Sequence, residues 1–128
     1  MSYLPLIGRI LFSSFFLMSG FNHLLKMDQM VPYAKSAGVP LPGLAVPLTG
    51  LMILAGGLSI LLGYYPKIGA WLLVIFLIPT NFYMHRFWGI EDQMQAMTQM
   101  VMFMKNTVIM GGALLIAYFG SGPYSLKP

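Results

Sequence analysis

Four long runs of apolar residues, separated by shorter polar connections, dominate the hydropathy pattern of the chain. The runs cover residues 4–25, 43–62, 67–84 and 97–119. Each is close to the roughly 20 residues that an α-helix needs to cross the hydrocarbon core of a membrane. The fourth run follows an amphipathic stretch that starts at Asp92. The pattern predicts an all-α integral membrane protein with four spanning helices; a soluble, methionine-rich helical domain is the alternative.

The connections between the runs predict how the helices are arranged. Only residues 63–66 link the second and third runs, so these two helices must form an antiparallel hairpin. The longest connection, residues 26–42, is predicted to lie at the membrane interface. Asp28 is expected to cap a short helix there that ends at Gly38. Short loops favour an up-down-up-down bundle, a single transmembrane domain over residues 1–128.

Small residues indicate where these helices pack, because helices in lipid associate through close approach of their backbones. Two series have four-residue spacing: Ala55, Ser59 and Gly63 in the second run, and Ala113 and Ala117 in the fourth. We predict that Gly57 or Ala113 lies at a helix–helix contact. Pro79 removes a backbone donor inside the third run, which predicts a kink or a local polar contact.

The composition agrees with a protein whose solvent is lipid. Hydrophobic residues make up 58% of the chain and charged residues 8%, against about a quarter charged in a typical soluble domain. The formal charge of +4 comes from scattered basic residues, which predicts contact with the lipid bilayer and no nucleic-acid binding. Cysteine is absent, so this chain cannot form disulfides or ligate an iron–sulfur cluster through thiolates.

Four spans place both termini on one side of the membrane, here called the terminal side. It holds Lys67 and Lys127, with Arg9 one to two turns inside the first span. Arg9 is expected to extend its side chain to the lipid headgroups of this side. The remaining basic residues outside the spans, on the opposite side, are Lys26, Lys35 and Arg86. The numbers of basic residues on the two sides are nearly equal, and they give only a small preference for termini in the cytoplasm of a bacterial cell.

Lys105 is the most unusual residue, because it lies inside the fourth run, about 21 Å from the terminal end of that helix. A charge at the centre of a membrane costs roughly 2.5–3.5 kcal/mol and needs a partner or water. Two interpretations stay open. Lys105 extends to the headgroups of the opposite side, or it faces the bundle and contacts a polar ligand.

Other polar side chains are predicted near the opposite end of the bundle. Together with Lys105, the candidates for a ligand pocket there are Asn22, His23, Asn81, His85, Gln99 and Asn106. Asn81 and His85 have the four-residue spacing of one helical face. If the polar faces converge they form a pocket; if they do not, headgroups solvate each residue. His23 and His85, on different spans, could also ligate a haem b iron.

The sequence resembles the DoxX family of small four-span membrane proteins over nearly its whole length. The motifs that carry the resemblance are Phe21-Asn22-His23-Leu24-Leu25-Lys26, Ala37-Gly38-Val39-Pro40, Leu54-Ala55-Gly56-Gly57, Leu61-Leu62-Gly63, His85-Arg86-Phe87-Trp88, Phe103-Met104-Lys105-Asn106 and Gly111-Gly112-Ala113-Leu114-Leu115. The resemblance implies a membrane subunit associated with redox enzymes, including a thiosulfate:quinone oxidoreductase. Many relatives carry a glutamate where this chain has Leu51-Met52-Ile53, so a mechanism that needs this acid is not predicted.

The leading interpretation is a membrane subunit of a quinone-linked or respiratory redox system, associated with other membrane-protein subunits and contributing to a quinone pocket. In that pocket His85, Lys105 and the asparagines would hydrogen-bond the carbonyl oxygens of the headgroup. Two alternatives stay open: a noncatalytic structural or assembly subunit of a larger complex, and a small-molecule or lipid transport protein. The residues do not predict catalysis by this chain on its own.

Overall fold

The structure, a computed structural model, describes residues 3–127 and is built from helices. In chain order these are α1 (Leu4–Leu25), α2 (Met27–Ser36), α3 (Pro42–Leu62), α4 (Pro66–Met84) and α5 (Gln93–Phe119). All but α2 are long and apolar enough to cross a membrane, which confirms the predicted all-α four-span fold. Backbone packing is extensive between α1 and α3, α3 and α4, and α4 and α5, whereas α1 and α5 approach each other less closely.

The helix bounds depart from the predicted runs mainly at α5 and in the interfacial connection. α5 begins at Gln93, before residue 97, because the carboxylate of Asp92 accepts hydrogen bonds from two backbone N–H groups of the first turn at 2.9 and 3.4 Å. The prediction that Asp28 caps α2 is wrong, since Lys26 occupies the N-cap position. Asp28 lies instead in the first turn, where its charge is favourable to the helix dipole.

Glycines set the closest approaches between the spanning helices. Where α1 meets α3, a Cβ atom on Gly50 would lie 2.6 Å from the Cβ of His23, and one on Gly20 would lie 3.0 Å from the carbonyl oxygen of Gly50. Where α3 meets α4, a Cβ atom on Gly56 would lie 2.9 Å from the carbonyl oxygen of Gly69. These backbones can therefore pack at this distance only because the residues carry no side chain.

The predicted small-residue contacts are right in part. Gly57 and Ala113 are buried, as predicted, but Ala55 is exposed on the outside of the bundle. The reason is that α3 turns the face carrying Gly50, Gly56 and Gly57 toward its neighbours. The buried side chains that fill the space between the helices are Phe16, Ile53, Ile60, Ala70, Leu73 and Leu77.

Replacing Ala113 by leucine should lower the thermal stability of the protein in detergent. Ala113 is fully buried in the face of α5 that packs on the bundle, so the added atoms have no space and overpacking costs about 2 kcal/mol. Ala55→Leu is the matched control, because the same change on an exposed position should leave the unfolding temperature unchanged. Equal losses for the two variants would contradict the packing of α5.

Residues 120–127, here called the C-terminal strap, turn back across the terminal end of the bundle. The backbone N–H groups of Leu126 and Lys127 donate to the carbonyl oxygens of Leu62 and Gly63 at 3.0 and 2.8 Å. In return, the N–H of Tyr65, the N-cap residue of α4, donates to the carbonyl oxygen of Lys127 at 3.0 Å. The strap thus joins the end of α5 to the α3–α4 hairpin.

Arg9 anchors the strap from α1. Its Nη1 donates to the Oγ of Ser125 at 2.6 Å and its Nη2 donates to the carbonyl oxygen of Tyr124 at 2.9 Å. The side chain is only 4% exposed, so the prediction that Arg9 extends to the headgroups is wrong. The start of α1 and the strap share one end of the bundle, as predicted for the termini, while the cytoplasmic orientation of that end stays a prediction.

Candidate functional site

A cavity of about 570 Å³ occupies the half of the bundle that lies away from the strap. Its walls begin at Phe15 on α1 and Ile75 on α4, and they include α3 up to Met52 and the middle of α5. None of the described lining residues lies in the terminal half of the bundle. The cavity therefore ends inside the protein instead of crossing it.

The short helix α2 forms part of the wall at the outer end of this cavity. α2 packs on α3 and contributes Met30, Tyr33 and Ala34 to the lining. These residues stand at positions i, i+3 and i+4, the spacing of one helical face. This contribution was not predicted from the sequence, although the spacing of the three residues within the predicted interfacial helix is the signal that could have shown it.

The walls of the cavity are mostly apolar and adaptable. Four methionines line it, one from each of α2, α3, α4 and α5: Met30, Met52, Met84 and Met102. Methionine has a flexible, polarisable side chain that adjusts to ligands of different shape. Pro79 lies inside α4 and lines the cavity together with Ile75, whose carbonyl loses its usual helical donor. Such a lining suits a lipophilic ligand with a few polar atoms.

Lys105 and Asn106 bring polar groups to this apolar cavity from α5. The Nζ of Lys105 lies 4.9 Å from the centre of the Phe15 ring, a cation–π contact between α5 and α1. Asn106 is 5% exposed and lines the cavity. The side chain of Asn106 forms no hydrogen bond with any residue of the described chain. The position of Lys105 favours the bundle-facing interpretation, and its contact residue Phe15 was not foreseen from the sequence.

His23 and His85 line the same cavity, each with one ring nitrogen engaged. The Nδ1 of His23 lies 2.7 Å from the carbonyl oxygen of Ser19, and the Nδ1 of His85 lies 3.0 Å from the Oε1 of Gln99. Because carbonyl and amide oxygens only accept, both Nδ1 atoms donate. The two Nε2 atoms stay available to a ligand, and a role of this pair in binding haem stays a prediction.

Three predicted candidates fall outside the cavity wall. Asn81 is buried, and its Nδ2 donates to the carbonyl oxygen of Phe103 and to the Oγ1 of Thr107, both at 3.4 Å. Asn81 therefore joins α4 to α5. Gln99 does not line the cavity but bonds to His85, which does. Asn22 is half-buried at the end of α1, away from the cavity lining.

Comparison with known proteins gives one family and one clear relative. The sequence model of the DoxX family matches residues 4–86, from the start of α1 to just beyond α4. The chain is 32% identical over 123 residues to "Inner membrane protein YphA" of Escherichia coli K12, an alignment that covers 96% of this chain and 87% of the relative. No solved structure is significantly similar. Lys105 and Asn106 lie beyond the part that the family model matches.

Proposed function

The chain belongs to the DoxX family, and from this premise we propose that it is a membrane subunit of a quinone-linked or respiratory redox system, with a quinone headgroup bound in the interior cavity. It is a multi-pass protein of the cytoplasmic membrane, since its relative is an inner membrane protein and its fold has four apolar spans. A lipophilic quinone is dissolved in that same membrane.

The observation that carries the proposal is an apolar cavity with donors concentrated on one wall. Lys105 and Asn106 stand side by side on α5 and line the cavity, and neither has a hydrogen bond or ion pair within residues 3–127. A quinone headgroup is flat and apolar except for its carbonyl oxygens, which accept hydrogen bonds. The volume of about 570 Å³ falls within the range of small-molecule sites.

The residues of the chain fit distinct tasks toward such a headgroup. The ammonium of Lys105 and the amide of Asn106 would donate to carbonyl oxygens, while His85 would be held in orientation by Gln99. A bound quinone would supply the electron acceptor, and a cation in a medium of low dielectric constant favours negative charge on the oxygens nearby. Phe15 would keep the ammonium at the cavity wall through its ring.

Solvent extraction of the purified protein tests this proposal directly. Protein taken from native membranes in mild detergent should carry quinone, and both Lys105→Met and His85→Ala should retain less of it. Because the two residues share one cavity, the double variant should lose little more than the stronger single variant. Lys67→Met is the control, since Lys67 is exposed on the terminal side and its loss should leave the quinone content unchanged.

The same preparation separates the alternatives. Full quinone retention by Lys105→Met, or no quinone in the parent protein, would contradict the proposal. Migration with a larger complex in native gels would then favour the noncatalytic structural or assembly subunit. Migration alone, without quinone, would favour the transport protein, although a cavity that ends inside the bundle provides no path across it in this conformation.

A further inference from the structure

We propose that the cavity selects ligands whose polar head carries a negative charge. The inference rests on the proposed function only in using the same cavity, and it holds for any apolar ligand with an anionic oxygen. Its basis is a lysine on an apolar wall without a counter-charge, beside an asparagine without a hydrogen-bond partner. A cation enclosed in apolar surroundings is costly unless an anion or strong acceptors compensate it.

The charges around the cavity are all of one sign. Its titratable lining residues are Lys105, His23, His85, Tyr33 and Tyr83, and no carboxylate of the described chain contributes to the wall. The acidic residues Asp28, Glu91 and Asp92 are all exposed. Within the described chain Lys105 therefore contacts the ring of Phe15, an attractive interaction that does not neutralise the charge.

Several other polar groups of the wall are already engaged within the protein. The hydroxyl of Thr49 donates to the carbonyl oxygen of Ala45, and that of Thr80 donates to the carbonyl oxygen of Phe76, both at 2.7 Å. The Nδ1 atoms of the two histidines are engaged as well. On the α5 wall, the donors available to bind the polar head of a ligand are thus the ammonium of Lys105 and the side-chain amide of Asn106.

This arrangement defines a ligand class. The head is an anionic oxygen, such as a carboxylate, a phosphate or the ionised hydroxyl of a quinone ring, and the body is apolar. Hydrogen bonds from a charged donor to a charged acceptor are roughly twice as strong as those between neutral groups. A neutral quinone can use the same donors, but an otherwise identical anion should bind more tightly.

Two matched pairs of probes test the charge preference in detergent at neutral pH. The first pair is an alkylated hydroxynaphthoquinone, ionised at this pH, and its neutral methyl ether. The second is a long-chain alkyl carboxylate and its methyl ester. We expect the anion to bind about ten- to a hundredfold more tightly than its neutral analogue in at least one pair. Preference in the first pair indicates an aryl ligand, and preference confined to the second indicates a lipid carboxylate.

Variants assign the preference to Lys105. Lys105→Met should reduce the ratio of the two affinities to about one, whereas Lys105→Arg should retain most of it, because the arginine keeps the positive charge. Lys26→Met is the control for surface charge, since Lys26 is exposed at the same end of the bundle. A preference that survives Lys105→Met overturns the inference, and so does equal binding, or no binding, of anion and neutral analogue in both pairs.

The outcomes also separate this inference from the proposed function. Equal binding of the hydroxynaphthoquinone and its ether, together with no preference in the second pair, would leave a quinone site without charge selection. Binding confined to the alkyl carboxylate would support the charge selection and contradict the quinone. A fold defect in Lys105→Met is excluded by comparing its unfolding temperature with that of Lys105→Arg.

Discussion

Replacing Arg9 by methionine should detach the C-terminal strap and lower the stability of the bundle by about 3 kcal/mol. Two hydrogen bonds from a charged donor are lost, each worth roughly 1.5–3 kcal/mol, and part of this is offset because a buried charge is removed. Detachment exposes Ser121, which is buried in the intact protein, and frees the backbone around Tyr124 and Ser125 for a protease. Limited proteolysis should therefore cleave within residues 120–127 in the variant at concentrations of protease that leave the parent protein intact.

Arg86→Met provides the matched control for this substitution. Arg86 is also an arginine bonded to a backbone carbonyl, that of Ala37 at 3.1 Å, but it is exposed. Exposed interactions of this kind contribute less than about 1 kcal/mol. If the strap of Arg9→Met stays as resistant to protease as that of Arg86→Met, the backbone pairing with Leu62 and Gly63 holds the strap without Arg9.

Replacing Gly50 by alanine should cost about 3 kcal/mol, although the change adds a single methyl group. The new Cβ atom would lie 2.6 Å from the Cβ of His23, which is fixed to the backbone of α1 and cannot rotate away. The two helices must then move apart along their main contact. The expected loss of stability therefore lies at the upper end of the usual cost of overpacking. The measurement is the unfolding of the purified protein in detergent.

Gly111→Ala is the corresponding control on α5. A Cβ atom at Gly111 would meet nothing within 4 Å, and alanine is the better helix former by roughly 1 kcal/mol. The two glycine-to-alanine changes should thus move stability in opposite directions. A gain for Gly50→Ala similar to that for Gly111→Ala would mean that α1 and α3 are not in contact at this level.

The spans and the hairpin could be predicted because they depend on local properties of the chain. Apolar runs of membrane-crossing length and a four-residue connection leave few alternatives for a polypeptide in lipid. The cap of α2 was predicted at Asp28, two residues late, because the sequence does not show that the helical path between α1 and α2 is interrupted at Lys26, which has φ −117° and ψ 39°.

The candidate site was predicted in part, and the misses have physical reasons. Lys105, Asn106, His23 and His85 all line the cavity, since each is a polar residue that an apolar helix can place only toward other protein or water. Asn81 was grouped with His85 by its four-residue spacing. Both side chains do bond to α5, but only His85 lines the cavity. The amide of Asn81 is taken up by Phe103 and Thr107 of α5, a contact that spacing within α4 alone does not show.

The position of Arg9 could not be predicted from its neighbours in the sequence. The acceptors of its guanidinium come from a segment that carries no apolar run and no charge other than Lys127. The local sequence pattern predicts that a basic residue near the end of a span extends its side chain to the lipid headgroups. Only the return path of residues 120–127 shows that protein replaces the headgroups here.

The contact between Arg9 and Ser125 joins positions 116 apart in the chain, and this separation orders events during biosynthesis. A ribosome that adds about 5–20 residues per second needs roughly 6–25 s to proceed from one to the other. Throughout that interval the first helix enters the membrane with a guanidinium whose acceptors have not been synthesised. The helices can insert one after another as they emerge, but this end of the bundle is locked only after residues 120–127 have been synthesised and meet the first helix.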